Sequence, residues 1–575
     1  MAFVFAWASS AAATARHGSG KSARRVCKTA RTVVDMTAAE TMGGSSSLAV
    51  TPVTTTVRNA PKFRRLVIFE ETYGCAMNIA DTQVVRALIA KELKTEVEYT
   101  TDENQANVFL LNTCAIRENA EQRVMQRLKY LRTIGSRRPK EDRPVVAVLG
   151  CMAEHLKHSL LDDKLCQIVM GPDAYRELPS ALRAVTASDG SDMTAYNVQL
   201  SAEDTYAEIS PVRDVQGEDG NVSAFLTVMR GCANACSFCV VPRTRGAERS
   251  RDLKSVVREI RELSEQGFKE VVLLGQNVNS YNDVSQLQLG SASARPVTVQ
   301  IAGKVQYAAG FETRYPRRDR GLVFADLLSE VSAVDPEMRI RFTSPHPKDY
   351  PDEMIDIMSK RANICKQVHV PAQSGSTPVL ARMNRGYSRE AYLELVDTLR
   401  SRLPGVALST DIIAGFCGET LDEHAETVSL MQEVGFENAF MYAYSVRSGT
   451  PAAVHLVDTV SEEEKGRRLA EIISVFHKRA EEKNQAEIGR SHLVLVEGQA
   501  RAKKLPGFLT GRTDTNKRVF FKDVPIQAGE FGQTLKRAVA GDYVEVVVES
   551  ATSLTMRSRA IRQSSIQAYA RAHSL

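Results

Sequence analysis

From Lys62 onward the sequence repeats a pattern. Three short apolar runs, LVIFEETYGC (66–75), NVFLLNTC (107–114) and VVAVLGC (145–151), each end on a polar turn closed by cysteine, and each precedes a stretch of helical periodicity. Strands alternating with helices at about 38 residues are βαβ units, and such units assemble into a parallel sheet. The carboxyl ends of successive parallel strands lie along one edge, where these sheets place their ligands. Cys75, Cys114 and Cys151, separated by 39 and 37 residues, are therefore expected to converge on one crevice. Three thiols rather than four leave an exchangeable metal position. The alternative is three buried structural cysteines.

A second series of runs follows: FLTVMRGC, EVVLLGQN, RIRFTSPHP, QVHVPAQSGS and LSTDIIAGF, each ending on a turn residue. Helical stretches at Ser255–Gln266, Ala325–Val334 and Arg389–Arg402 lie between them. The pattern predicts a second α/β unit, barrel-like, with an inserted surface loop at 285–320 that carries Arg314, Arg317, Arg318 and Arg320. After a helix over Ser461–Glu487, the period-two runs HLVLVEG, RVFF and DYVEVVVES predict a small antiparallel barrel.

Cys232, Cys236 and Cys239 form C-x3-C-x2-C directly after the strand FLTVMRG. Thiolates so close wrap one soft-metal centre, for which iron–sulfur clusters and zinc are the candidates. A structural zinc site normally closes with a fourth Cys or His at short spacing, yet neither follows Cys239 until His346. A cubane on three cysteines keeps one iron open. Cys27, Cys166, Cys365 and Cys417 share no such pattern.

Residues 1–34 contain Arg16, Lys21, Arg24, Arg25, Lys28 and Arg31, with no acid before Asp35. That is a transit-peptide composition, and it favours a mitochondrial over a plastid address. Met36 could start a cytosolic form without it. Residues 43–60 read as a flexible Gly/Ser/Thr linker. The net charge of +5 conceals basic ends around a middle that is acidic overall. No apolar run reaches 18 residues in a chain that is 43% apolar, which excludes a polytopic membrane protein and a disordered tail.

The motifs ETYGCAMNIADT, LLNTCAIRENAEQRV, LGCMAE, VMRGCANACSFCVVPRTRGAERSR, LLGQNVNSY, RFTSPHP, HVPAQSGS, MNRGY, GFCGET and AYSVRSGTPAA occur in one order. Over about 62–560 the chain resembles the MiaB type of the radical-SAM methylthiotransferase family, in an organellar form. The resemblance implies an N-terminal parallel-sheet methylthiotransferase domain (61–210), a central radical-SAM partial (β/α) barrel (211–483) and a C-terminal TRAM β-barrel (484–560). Residues 1–60 would be transit peptide and linker, and 561–575 a tail.

It further implies that Cys232, Cys236 and Cys239 hold a [4Fe–4S] cluster binding S-adenosylmethionine, with Phe238 against the adenine. Cys75, Cys114 and Cys151 would hold an auxiliary [4Fe–4S] cluster that handles sulfur. Gly275, Gln276 and Asn277 stand where the superfamily often has a Gly-Gly-Glu-type contact to the methionyl amine. Ser374, Gly375, Gly415 and Glu419 sit at strand ends and could line the cofactor pocket; their plain alternative is turn formation.

The implied reaction replaces an adenine C–H by C–S–CH3. One S-adenosylmethionine would serve as radical source and a second as methyl donor, with electrons from a ferredoxin- or flavodoxin-type protein. The implied substrate is N6-isopentenyladenosine at position 37 of tRNA. Arg117, Glu118 and Asn119 would face the nucleobase or serve only as a polar helix start. Lys517 and Arg518, with Lys503, Lys504, Arg512, Lys536 and Arg537, give the C-terminal barrel a basic surface suited to RNA. Two alternatives stand beside this reading. One is the same chemistry on threonylcarbamoyl-adenosine tRNA or a ribosomal-protein aspartate, and the other is a non-catalytic iron–sulfur RNA-binding regulator.

Overall fold

A computed structural model describes residues 33–35 and 63–573, apart from 64, 117, 188–192, 214–220, 286–309, 312–320, 502–504 and 530–533. Met36, most of 1–60 and most of the 285–320 insertion lie outside the described residues. The chain divides into two compact units, 2–201 and 202–575.

The first unit is built on seven parallel strands: β1 (Val33–Asp35), β2 (Leu66–Thr72), β3 (Val97–Thr100), β4 (Val108–Thr113), β5 (Val145–Gly150), β6 (Ile168–Met170) and β7 (Thr194–Asn197). Their order is β1-β7-β6-β5-β4-β2-β3. Every residue of β4 and β5 is buried, as expected of central strands covered on both faces. Val124, Leu128 and Leu131 of the following helix pack there with Phe109, Leu111, Val146 and Val148. β1 comes from the stretch assigned above to presequence and linker, pairing in parallel with β7 through Val33 and Thr194.

Because β3 lies on one side of β2 and β4 on the other, strand order reverses between β2 and β4. A reversal of this kind opens a crevice at the carboxyl ends of the two strands. Cys75 and Cys114 follow those two strands, and Cys151 follows the next one across.

The second unit begins with Ser223–Thr227, Glu270–Leu274 and Arg339–Phe342, paired in parallel in that order. A parallel bridge from Ile340 to Ile364 links them to Gln367–His369, Ala407–Ala414 and Asn438–Ala443, also parallel. These six strands form an open (β/α) barrel whose core includes Leu226, Val271, Leu273, Ile340, Val368, Leu408 and Ile412. One residue of the insertion, Phe311, is buried in this core, its ring 4.9 Å from that of Tyr387.

The C-terminal barrel closes five strands: Ser491–Gln499, Phe508–Arg512, Arg518–Lys522, Tyr543–Ala551 and Thr555–Ser564. Four of its seams are antiparallel, but the pairing of Arg518–Lys522 with Thr555–Ser564 is parallel. The one parallel seam has a simple cause: with an odd number of strands, strict alternation fails once around a closed barrel. Residues 561–575 are also more than a tail. The last strand runs to Ser564, and a helix over Ile566–His573 follows, its first N–H groups donated to the Glu337 carboxylate.

This barrel seats at the amino ends of the central strands. Glu270 and Arg339 open their strands. Arg339 donates to the carbonyls of Arg512 and Leu493, both at 2.7 Å, and its guanidinium lies 5.2 Å from the Tyr543 ring. Arg341 donates to Glu270 Oε2 and to the Thr513 and Asp514 carbonyls, each at 2.6 Å.

Candidate iron–sulfur and cofactor sites

In the first unit, Cys75 caps helix α1 (Ala76–Leu93) with extended backbone, and its thiol donates to Asn78 Oδ1 at 3.4 Å. Asn78 donates onward to Asn112 Oδ1 and the Thr113 carbonyl. Asn112 in turn donates to the Asn78 carbonyl and Thr82 Oγ1. All four of these polar residues are buried, so the network ties the first turns of α1 to the β4 end beside Cys114.

Two glycines make the approach possible. A Cβ on Gly74, where φ is +123°, would lie 2.5 Å from the Cys114 Cβ. One on Gly150, where φ is +92°, would lie 2.6 Å from the Thr113 carbonyl oxygen. Cys151 then opens helix α3 (Cys151–Leu156). Helix α2 (Glu118–Arg137) begins with Glu118 and Asn119, while Arg117 and the side chains of Glu118 and Asn119 lie outside the described residues.

In the second unit, Cys232, Cys236 and Cys239 are all buried. Gly231 has φ +74°, and a Cβ there would lie 2.0 Å from the Ala247 carbonyl oxygen, so the loop requires glycine at its start. The segment 382–385 holds the loop from the other side. Ser237 donates to the Met383 carbonyl at 3.0 Å and to the Arg382 carbonyl at 2.8 Å, and Asn384 donates to the Ala235 carbonyl at 2.7 Å.

Cys232 and Cys239 resist ionisation. Burial, then the charges of Cys239 and Cys236, raises Cys232; burial and Cys236 push Cys239 up to about 12. Buried thiolates that repel one another ionise as a set when a cation lies among them. Backbone N–H groups of Asn234 and Val241 point at the Cys232 and Cys239 sulfurs, each at 3.4 Å. Arg385 Nη1 points at the Cys236 sulfur at 3.2 Å. Buried soft ligands surrounded by donors fit an iron–sulfur cluster. Among the described residues, no group of three or more His, Cys, Asp or Glu is arranged to hold a single metal ion.

Phe238 is half-buried, its ring 6.4 Å from that of Phe416 in an edge-on arrangement, which brings the cysteine loop against the GFCGET turn. Gly275 packs on Met229, where a Cβ would come within 2.6 Å of the Met229 side chain. Gln276 Oε1 and Asn277 Oδ1 are buried and accept no hydrogen bond among the described residues, although Asn277 Nδ2 donates to Asp349 at 3.1 Å. Acceptors left open in this way suit a ligand that brings donors, such as an ammonium group.

The other expected pocket residues also hold neighbouring elements in place, and Glu419 Oε1 is a further buried acceptor without a hydrogen bond among the described residues. Ser374 Oγ and the Gly375 N–H both meet Thr427 Oγ1, and a Cβ on Gly375 would lie 2.6 Å from the Glu426 carbonyl oxygen. These two residues let the helix Leu421–Val434 approach the strand end. Gly415 donates to Glu419 Oε2 at 2.8 Å, and that carboxylate pairs with Arg468 at 2.9 Å, so Glu419 closes its own loop. Lys517 pairs with Glu487 at 3.2 Å with a side chain only 10% exposed, so its charge is largely matched inside the protein. Arg518 and Lys517 both line a cavity of about 200 Å³ beside Gln367 and Asn438.

Two features had no role in the sequence reading. Arg385 was visible only as part of MNRGY. His369 and Asp411 meet inside the barrel, with Nε2 3.3 Å from Oδ2 and Nδ1 3.0 Å from Ser409 Oγ. Burial lowers the His369 pKa against the opposing pull of Asp411.

Residues 226–431 match the model of the Radical SAM superfamily, and residues 67–171 match that of the uncharacterized protein family UPF0004. The mitochondrial tRNA methylthiotransferase CDK5RAP1 of Mus musculus is 47% identical over 496 residues, covering 86% of this chain and 81% of the relative. The chain belongs to the MiaB-type tRNA methylthiotransferases. The tRNA-2-methylthio-N(6)-dimethylallyladenosine synthase of Chloroherpeton thalassium is 41% identical over 86% of this chain and 96% of its own length. Among solved structures, the radical S-adenosylmethionine methyltransferase TsrM of Kitasatospora setae matches with a TM-score of 0.45 and 16% identity, over 70% of this chain and 78% of its own. The protein is thus a radical-SAM enzyme of tRNA methylthiolation, using S-adenosylmethionine and an iron–sulfur cluster. Among the described residues no helix is long and apolar enough to cross a membrane.

Proposed function

We propose that the substrate is N6-isopentenyladenosine 37 of tRNA, converted to its 2-methylthio derivative. We also propose that the chain carries a second [4Fe–4S] cluster on Cys75, Cys114 and Cys151. The observation that carries the second site is the convergence of the β2, β4 and β5 ends at the strand-order reversal, with Gly74 packed against Cys114. When bound, the clusters and S-adenosylmethionine supply radical generation and sulfur transfer.

The chain's own residues hold and shield those groups. Cys232, Cys236 and Cys239 would ligate the first cluster while the 382–385 segment fixes their loop. Gln276 Oε1 and Asn277 Oδ1 would accept from the methionyl ammonium, and Phe238 would cover the adenine. The 41% identical Chloroherpeton relative, whose name specifies a dimethylallyl-adenosine product, supports the isopentenyl substrate. Mitochondrial names among the relatives and the basic, acid-free first 34 residues support a mitochondrial destination. A ferredoxin- or flavodoxin-type donor would supply the electrons.

Anaerobically reconstituted protein is expected to hold about eight irons, and about four after Cys75, Cys114 and Cys151 are replaced. An unchanged count would remove the second site. Mass spectrometry of tRNA nucleosides from a null strain should show 2-methylthio-N6-isopentenyladenosine replaced by its unthiolated precursor; loss of the threonylcarbamoyl derivative instead would reassign the substrate.

A further inference from the structure

We propose that Arg385 sets the reduction potential of the cluster on Cys232, Cys236 and Cys239 by donating a charged N–H···S hydrogen bond to the Cys236 sulfur. The inference rests on the reading of those three cysteines as cluster ligands and goes beyond it by assigning a positioning residue to the electron-transfer step.

The guanidinium is 4% exposed, and its other two nitrogens donate to uncharged oxygens: Nε to the Tyr387 hydroxyl at 3.0 Å and Nη2 to the Pro371 carbonyl at 2.9 Å. Among the described residues no carboxylate pairs with it. A buried cation without a counter-ion is costly, and the group placed to neutralise this one is the Cys236 sulfur, 3.2 Å from Nη1. The contact is locked from two directions. Tyr387 donates to the Pro371 and Ala372 carbonyls at 3.2 and 3.0 Å, and the neighbouring Asn384 clamps the Ala235 carbonyl. Cys232 and Cys239 each receive a backbone N–H at the longer distance of 3.4 Å.

Reduction adds one electron to the cluster and no proton, so the cluster and its thiolates become more negative by one charge. A fixed cation hydrogen-bonded to a ligand sulfur stabilises that state more than the oxidised one and raises the potential. Arg385 would thereby bring the cluster within reach of a weak protein donor while leaving the open iron to the cofactor.

The test uses the full chain with Cys75, Cys114 and Cys151 replaced, so that one cluster is observed. Iron content and an EPR-monitored redox titration are then compared with and without Arg385→Gln. The expected result is about four irons in both proteins, a midpoint potential displaced to more negative values, and a reduced-to-oxidised ratio about tenfold lower at a fixed poise. Iron retained with an unmoved potential overturns the proposal. Absence of iron from the Arg385-containing parent overturns the ligand assignment instead. Should Arg385→Gln lose its cluster, the parent labelled with 15N-arginine decides: hyperfine spectra of the reduced state should show coupling to a guanidinium nitrogen, and a missing coupling overturns the proposal.

Discussion

At Gly74 the backbone adopts φ +123°, and a Cβ would come within 2.5 Å of both Asn78 Oδ1 and the Cys114 Cβ. Gly74→Ala therefore strains the backbone and drives apart the two strand ends at the crevice. We expect a loss of about 2–3 kcal/mol in urea denaturation of the first unit, with bound iron falling from eight toward four. Gly375 separates packing from cofactor contact. If its role is to admit the helix Leu421–Val434, Gly375→Ala costs about 1–3 kcal/mol of stability while iron per folded chain stays unchanged. A weaker affinity for S-adenosylmethionine at unaltered stability would instead return Gly375 to the cofactor pocket. Sequence could not separate these roles, because a strand ending in Gln-Ser-Gly-Ser reads alike whether it faces a ligand or a neighbouring helix. Cys236 and Arg385 posed a different difficulty: they lie 149 residues apart, and no local period links them. The cysteine trios were legible because strand alternation fixes which end of each strand carries the thiol.

The strands Glu270–Leu274 and Arg339–Phe342 contribute charge at their first residues as well as apolar core. Burial raises the Glu270 pKa, but Arg341 and then Arg339 outweigh it, so the carboxyl ionises below the usual range. A depressed carboxyl contributes stability in full above its unfolded value, about 4.3, and loses it as pH falls through the folded value. Glu270→Gln should accordingly reduce stability by about 3–5 kcal/mol at pH 7 and flatten the decline below pH 4.5, as measured by chemical denaturation at stepped pH. Period two correctly located the strands of the C-terminal barrel. It said nothing of the parallel seam between Arg518–Lys522 and Thr555–Ser564, since a strand's alternation is the same whichever way its neighbour runs. Nor does it separate an exposed cation from one like Lys517, whose partner Glu487 lies 30 residues away.

Across the whole molecule, recognition of tRNA is expected to fall to cations left facing solvent. In the C-terminal barrel these include Lys522, Lys536 and Arg557, all exposed. Replacing the three by Ala should weaken tRNA binding and reduce the slope of log affinity against log salt by about 2–3, whereas Lys517→Ala should lower stability and leave the slope nearly unchanged. Filter-binding titrations at several salt concentrations distinguish the two. The joint beneath that surface has a consequence for how such enzymes diversify. Arg339 and Arg341 grip carbonyl oxygens of Leu493, Arg512, Thr513 and Asp514, groups that every amino acid supplies. The attachment is thus nearly blind to what the barrel displays outside, so its outward side chains are free to be rewritten for a new nucleic-acid partner without unseating it from the catalytic body.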